Sequence, residues 1–298
     1  MVAPALTLLK SYVRDELRAV DRVIMESADQ HVPLITQITS HLVHSGGKRI
    51  RPSLTLACSK LLDTTGKRHI NLAATVELIH TATLLHDDVV DESTMRRGQD
   101  TANAVWSNQA SVLVGDFLLS RAFQLMVADG SLNVLALLSG SSAIIAQGEV
   151  KQLAASGNLQ TNTQDYLDII NAKTATLFSA ACEIASHITN QPDLHEPLKA
   201  FGTAMGMAFQ LVDDALDYSA SSLTLGKTIG DDLREGKVTL PVIHAYAHAD
   251  EGEQLFWQRV IEEGEHQDGD IDLAINIINR HKGVEATGGG AGQFHQPD

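Results

Sequence analysis

Residues 72–98 read LAATVELIHTATLLHDDVVDESTMRRG. From Leu72 to Asp91 apolar residues recur at three- and four-residue intervals, and neither glycine nor proline interrupts them. The pattern is that of a long helix. Asp87, Asp88 and Asp91 follow its last apolar turn, and Arg96 and Arg97 stand just beyond. Positions i and i+4 share a helix face, so Asp87 and Asp91 stack, with Asp88 beside them. Crowded charges of one sign cost energy. Either water solvates this face or a cation sits on it.

The same periodicity runs outward in both directions. It predicts helices over Leu6–Ser27, Leu34–Val43, Leu54–Leu62 and Leu72–Asp91. Further helices are predicted over 109–128, 132–154, 163–188, 196–218, 239–248, 253–263 and 270–281. Pro33, Pro52, Pro192, Pro197 and Pro241 fall where helices begin or end, and no regular strand pattern lies between them. The run NVLALLSGSSAIIAQG (133–148) is apolar nearly all round, as a buried helix is. No linker or fixed repeat divides the chain. The expectation is one large all-α domain over residues 1–282. The glycine-rich GVEATGGGAGQFHQPD (283–298) lacks periodicity and is expected to be an irregular tail, disordered or loosely held.

Composition narrows the function. A formal charge of −15 over 298 residues argues against nucleic acid and is compatible with divalent cations. Cys58 and Cys182 lie in aliphatic helical patterns without metal-ligand spacing, which suits buried thiols in a reducing cytoplasm. No apolar run approaches the ~20 residues of a spanning helix, and no signal peptide is evident, so a soluble protein is expected.

FQLVDDALDY repeats the first acidic spacing with Asp213, Asp214 and Asp217. Both triplets follow strongly apolar turns, whereas solvated charge runs usually do not. If the two helices faced each other across a cavity, divalent cations would relieve the repulsion. Oxygen-only ligands favour Mg²⁺ or Ca²⁺, and single carboxylate bites with room for phosphate favour Mg²⁺. Cations are placed to match. Lys48, Arg49 and Arg51 open a helix in SGGKRIRP; Arg96 and Arg97 follow the first cluster; Lys173 stands in the apolar NAKTATLF; Lys227 and Lys237 flank GDDLRE. Singly, each is more often half of a surface salt bridge. Together they suggest two anion sites, one beside the metals and one without. His80 and His86 on the acidic helix are as readily packing residues as functional ones.

GGKRIRP, DDVVDESTMRRG, FQLVDDALDY and GKTIGDDLREGKVTLP, in that order, resemble the all-trans polyprenyl diphosphate synthases over roughly residues 5–282. The likeness is greatest to long-chain members that make octaprenyl- to decaprenyl-type quinone side chains. The resemblance implies a single bundle of long, mostly antiparallel helices around a central cavity, as a cytoplasmic homodimer. It implies Mg²⁺-dependent, head-to-tail condensation of an allylic prenyl diphosphate with isopentenyl diphosphate. It assigns Asp87, Asp88, Asp91 and Asp213 to the metals, with Asp214 and Asp217 close by. Arg96, Lys173, Lys227 and Lys237 then hold the allylic diphosphate. Lys48, Arg51, His80 and Arg97 hold isopentenyl diphosphate, and Thr174 and Gln210 line the reacting carbons. The lipid product would bring a protein without spanning segments to membranes.

Ile79, Ala82, Thr83, His86 and Asp87 form one helical stripe down which a growing chain would run. Ala82 and Thr83 are small, which is expected to leave the tunnel open, with Phe117, Phe123 and Met126 as candidates for a deeper floor. Short-chain relatives often carry an aromatic near Ala82. Family members continue with more helix where residues 283–298 turn glycine-rich, so that end reads as altered. Three other readings are a short-chain (farnesyl or geranylgeranyl) synthase, a non-catalytic subunit of the same fold, and a hydrolase or terpene cyclase. The subunit should have damaged acidic clusters. A hydrolase should bring a general base or several histidines to the aspartates, and a cyclase lacks GGKRIRP.

Overall fold

The computed structural model describes residues 4–28, 32–45, 47–96, 98–219 and 230–293. In chain order the helices are α1 (Ala5–Tyr12), α2 (Arg14–Ala28), α3 (Pro33–His44), α4 (Ile50–Leu61) and α5 (Arg68–Val90). A two-residue ladder, β1 (Met95–Arg96) and β2 (Gln99–Asp100), precedes α6 (Ala102–Val105), α7 (Asn108–Asp129) and α8 (Leu132–Ala155). Then come α9 (Thr163–Ile170), a π turn (Asn171–Ala175), α10 (Thr176–Thr189) and α11 (His195–Asp217). The last are α12 (Asp231–Arg234), α13 (Leu240–Ala247), α14 (Glu251–Trp257) running into a second π turn (Gln258–Glu262), α15 (Asp270–Arg280) and α16 (Gly283–Gln293). The all-α expectation holds.

Within the chain, two compact units can be described: residues 1–143 with 177–202, and residues 144–176 with 203–298. In the first unit, α5 lies along α7 and also packs on α2 and α4. Its Leu72, Val76, Leu78, Ile79 and Leu85 are fully buried. Burying each such side chain contributes about 1.5–3 kcal/mol. The Ser111 hydroxyl of α7 donates to the Leu85 carbonyl at 2.9 Å, tying the two helices just before the aspartates. In the second unit Trp257, Tyr218, Leu233, Val242, Val260 and Ile278 form an aliphatic and aromatic core.

Local chemistry explains most boundaries. Asn162 and Asp165 form a capping box on α9, as do Asp250 and Glu253 on α14. Gly130 closes α7 at φ 77°. The helix expected over Leu6–Ser27 is kinked at Val13, whose amide still donates to Leu9 and whose carbonyl still accepts from Leu17. α4 starts four residues before the expected Leu54, because Pro52 sits in the first turn, where no amide hydrogen is needed.

Three expectations need correction. Residues 283–293 are helical rather than irregular. A Cβ at Gly283 would stand 2.6 Å from the Pro241 carbonyl oxygen, so glycine is what lets α16 lie against α13. Thr287 is buried and its hydroxyl donates to the Gly283 carbonyl at 2.8 Å. Residues 294–298 lie outside the described residues. α7, at 22 residues, is long and apolar enough by length and composition to cross a membrane, contrary to the run-length reading. It carries Asp116 and Arg121 and packs on α5. The third is the β1–β2 ladder, which pairs Met95 with Asp100 and Arg96 with Gln99.

Candidate active site

In the first unit, α5 delivers the first aspartate triplet at its C-terminal end. Asp88 is turned inward, 1 % exposed. Arg96 donates to its Oδ1 from Nε at 2.8 Å and lies 2.7 Å from it through Nη2. The short ladder after α5 holds Arg96 in place. Asn103 donates to the carbonyls of Asp88 and Ser93, both at 3.1 Å, and the Thr101 hydroxyl donates to Ser93 at 2.7 Å. Asp87 and Asp91 remain half-buried, one turn apart. Asp88 is thus held by fixed donors, and Asp87 and Asp91 share the half-buried face beside it.

Arg49 explains how the basic segment is set. It stands at φ 51°, a left-handed conformation unusual for a side-chain-bearing residue, at the start of α4. Its guanidinium pairs with buried Glu77 of α5 and also reaches Asp21, 3.5 Å away. Arg49 therefore anchors the turn, and Lys48 on one side is exposed. On the other side, Arg51 Nη1 donates to His80 Nε2 at 3.2 Å and lies over the Phe178 ring, 4.4 Å from its centroid. Two residues expected to share isopentenyl diphosphate are therefore neighbours. Arg97 and Lys227 lie outside the described residues.

His86 packs on α7, where any side chain at Gly115 would run into its ring. Its Nε2 lies 3.3 Å from both the Val112 carbonyl and an Asp116 oxygen. On the proposed product stripe, Asp87, His86 and Thr83 are half-buried, whereas Ala82 and Ile79 are closed off. The stripe thus opens at its aspartate end. Ala82 is 1 % exposed and Thr83 is half-buried. Of the floor candidates, Met126 is core, Phe117 is half-buried and Phe123 is exposed.

In the second unit, a cavity of about 110 Å³ is lined by Tyr166, Lys173, Thr174, Gln210, Asp214 and Lys237, among others. Lys173 and Thr174 ride on the π turn, a feature that often marks functional sites. Gly148 of α8 makes room for that turn: a Cβ there would stand 2.7 Å from the Lys173 amide nitrogen. Lys173 pairs with Glu149 at 2.7 Å, and Lys237 pairs with Glu235.

The second triplet repeats the logic of the first. Asp214, its middle member, is buried. The Tyr166 hydroxyl donates to its Oδ2 and Gln210 Nε2 to its Oδ1, each at 2.6 Å. Gln210 in turn accepts from the Thr174 hydroxyl at 2.9 Å. Burial pushes the Asp214 carboxyl up to about 6, against the pull of its Tyr166 and Gln210 donors. Burial, and then the adjacent Asp214 charge, raise the Tyr166 hydroxyl, which stays protonated and donating. Asp213 and Asp217 are half-buried, and Asp217 Oδ2 accepts from the Asp232 amide at 3.1 Å.

Among the described residues, no three His, Cys, Asp or Glu side chains converge into a finished metal cage. What each unit presents is a pair of carboxylates one turn apart, an oxygen-only set. Such a set fits a hard divalent cation completed by ligand oxygens. Sequence reading missed Tyr166 and Asp232, both lining the cavity. Tyr166 shares a helix face with Ile169 and Ile170 in TQDYLDII, and a tyrosine on an apolar face needs a partner for its hydroxyl; that was the available signal.

The family model described as polyprenyl synthetase matches residues 32–278. The octaprenyl diphosphate synthase of Haemophilus influenzae is 43 % identical over 271 residues, covering 91 % of this chain and 82 % of that protein. A decaprenyl diphosphate synthase structure from Rhodobacter capsulatus superposes with TM-score 0.92 at 50 % identity, over 97 % of this chain and 90 % of that one. A polyprenyl synthase from Caulobacter crescentus, complexed with calcium and isoprenyl diphosphate, superposes with TM-score 0.94 at 42 % identity. It covers 99 % of this chain and 90 % of that one.

Proposed function

The chain belongs to the polyprenyl synthetase family, and we propose that it condenses an allylic prenyl diphosphate with isopentenyl diphosphate, head to tail. The product is a long-chain all-trans polyprenyl diphosphate, the precursor of a quinone side chain. The observation that carries the reading is the shared design of the two aspartate triplets. In each, the middle carboxylate is buried and held by fixed donors, and the outer two lie one turn apart on a half-buried face.

Asp87 and Asp91, and likewise Asp213 and Asp217, are the carboxylates that would hold Mg²⁺ on diphosphate oxygens. A divalent cation held by these carboxylates would supply charge neutralisation for the departing diphosphate. Arg96, Lys173, Lys237 and Lys227 supply the remaining positive charge. Lys48, Arg51, His80 and Arg97 hold the isopentenyl diphosphate. The allylic C–O bond breaks with its electron pair leaving on diphosphate. The isopentenyl double bond attacks the resulting cation, and a proton is lost to form the new double bond. The Thr174 hydroxyl hydrogen is committed to Gln210, so its oxygen lone pairs are left for the cavity, where they favour positive charge.

A second copy is the natural cover for the apolar side chains that α7 leaves exposed, among them Leu113 and Val127 at 67 % and 66 %. A reducing cytoplasm suits the two thiols, both free and buried. The test is incubation with Mg²⁺, farnesyl diphosphate and labelled isopentenyl diphosphate. Label in a long lipid product supports the reading. Label left in isopentenyl diphosphate, or in its hydrolysis product, refutes it.

A further inference from the structure

We propose that Tyr166 is a positioning residue for the second aspartate cluster, locking Asp214 so that Asp213 and Asp217 are presented to the cation in one fixed orientation. The inference rests on the reading of Asp213 and Asp217 as cation holders.

Three donors point the same way. Thr174 donates to Gln210, Gln210 donates to Asp214, and Tyr166 donates to the other oxygen of Asp214. Every donor hydrogen in the chain is directed towards the one buried carboxylate. The two bonds to Asp214 also fix the Gln210 amide, because only one orientation donates to Asp214 while accepting from Thr174. Such fully satisfied chains in a low-dielectric site reinforce one another and favour a single arrangement. Asp214 lies between Asp213 and Asp217 on α11, so any roll of that helix turn that moved the outer pair would break the 2.6 Å bonds on both of its oxygens.

Tyr166 is the only member of this chain that comes from α9, and its ring is also part of a buried cluster with Ile170, Met207 and Leu211. It therefore fixes α9 and α11 to each other at the level of the aspartates.

The test is Mn²⁺ binding, followed by electron paramagnetic resonance in the presence of farnesyl diphosphate alone, beside steady-state kinetics. Tyr166→Phe removes only the hydroxyl. Loss of one hydrogen bond to a charged group predicts roughly tenfold weaker Mn²⁺ binding. The same variant should need more Mg²⁺ for half-maximal rate, while KM for isopentenyl diphosphate is unchanged. In an Asp214→Leu background, which has no acceptor at that position, the Tyr166→Phe effect should shrink, because the two changes remove the same bond. Unchanged Mn²⁺ affinity in folded Tyr166→Phe, or strictly additive effects in the double variant, overturns the proposal. Should Tyr166→Phe fail to fold, Asp214→Asn carries the test: weakened Mn²⁺ binding supports the proposal and unchanged binding overturns it. If the wild-type protein binds no Mn²⁺ with farnesyl diphosphate, the parent reading of the aspartates fails instead.

Discussion

The Arg96 guanidinium grips one oxygen of Asp88, with Nε at 2.8 Å and Nη2 at 2.7 Å, and Asp88 is buried beneath it. Arg96 keeps 35 % of its side chain exposed and can be rehydrated, so Asp88→Ala should cost about 1.5–3 kcal/mol of stability in urea denaturation, through the loss of these charged hydrogen bonds. Asp87→Asn, on the half-buried face, should stay within about 0.5 kcal/mol of wild type yet raise the Mg²⁺ needed for half-maximal rate. Equal stability losses in both variants would contradict the division of labour within the triplet.

Gly148→Ala should damage the Lys173–Thr174 turn. The added methyl would meet the Lys173 amide nitrogen at 2.7 Å and the Ala172 Cβ at 2.9 Å. Overpacking of this kind costs about 1–3 kcal/mol, and kcat should fall with it. Gly140→Ala, on the same helix, meets nothing within 4 Å. It should stabilise the protein by up to about 1 kcal/mol through helix propensity alone. Thermal melts and kcat for the two variants check this contrast.

Product length is expected to respond to the α5 stripe. Ala82→Phe should shorten the products, as read by mass spectrometry. It should also lower the melting temperature, because Ala82 is already closed in. Thr83→Phe, at a half-buried position of the same stripe, should shorten products with less loss of stability. Unchanged product mass in both variants would remove the stripe from the path of the growing chain.

Helix bounds were largely legible because they follow from apolar period and capping, which are local. The inward turn of Asp88 was partly legible too: a residue one position from Asp87 points about 100° away on a 3.6-residue helix. What period cannot carry is who waits on that side. Arg96 reaches Asp88 through a two-residue ladder too short to leave a pattern. Tyr166 meets Asp214 across 48 positions of chain. The glycines of α16 were misread because glycine breaks helices by default. At Gly283 its missing side chain is instead what permits contact with α13. The π turn at Lys173 likewise depends on Gly148, a neighbour distant in sequence.

Acid stability should depend on one pair in the second unit. Arg259 bonds Asp270 through two nitrogens at 2.8 and 2.7 Å, and this holds the Asp270 carboxyl below its usual range. A carboxylate with a depressed folded-state pKa adds stability that is present above its unfolded value, about 3.9. That stability is lost as pH falls through the folded-state value. Asp270→Asn should therefore be less stable than wild type at neutral pH, and the gap should close progressively below about pH 3.9. Urea midpoints measured across pH would show it; a gap that widens on acidification would reverse the assignment.

Metal-dependent chain elongation is tested most directly by stripping the protein with a chelator and following labelled isopentenyl diphosphate into lipid. The account predicts no elongation without a divalent cation, full recovery on adding Mg²⁺, and little recovery in Asp87→Asn or Asp213→Asn at the same Mg²⁺. Elongation that persists in chelator, or that both variants perform at the wild-type Mg²⁺ requirement, would contradict it.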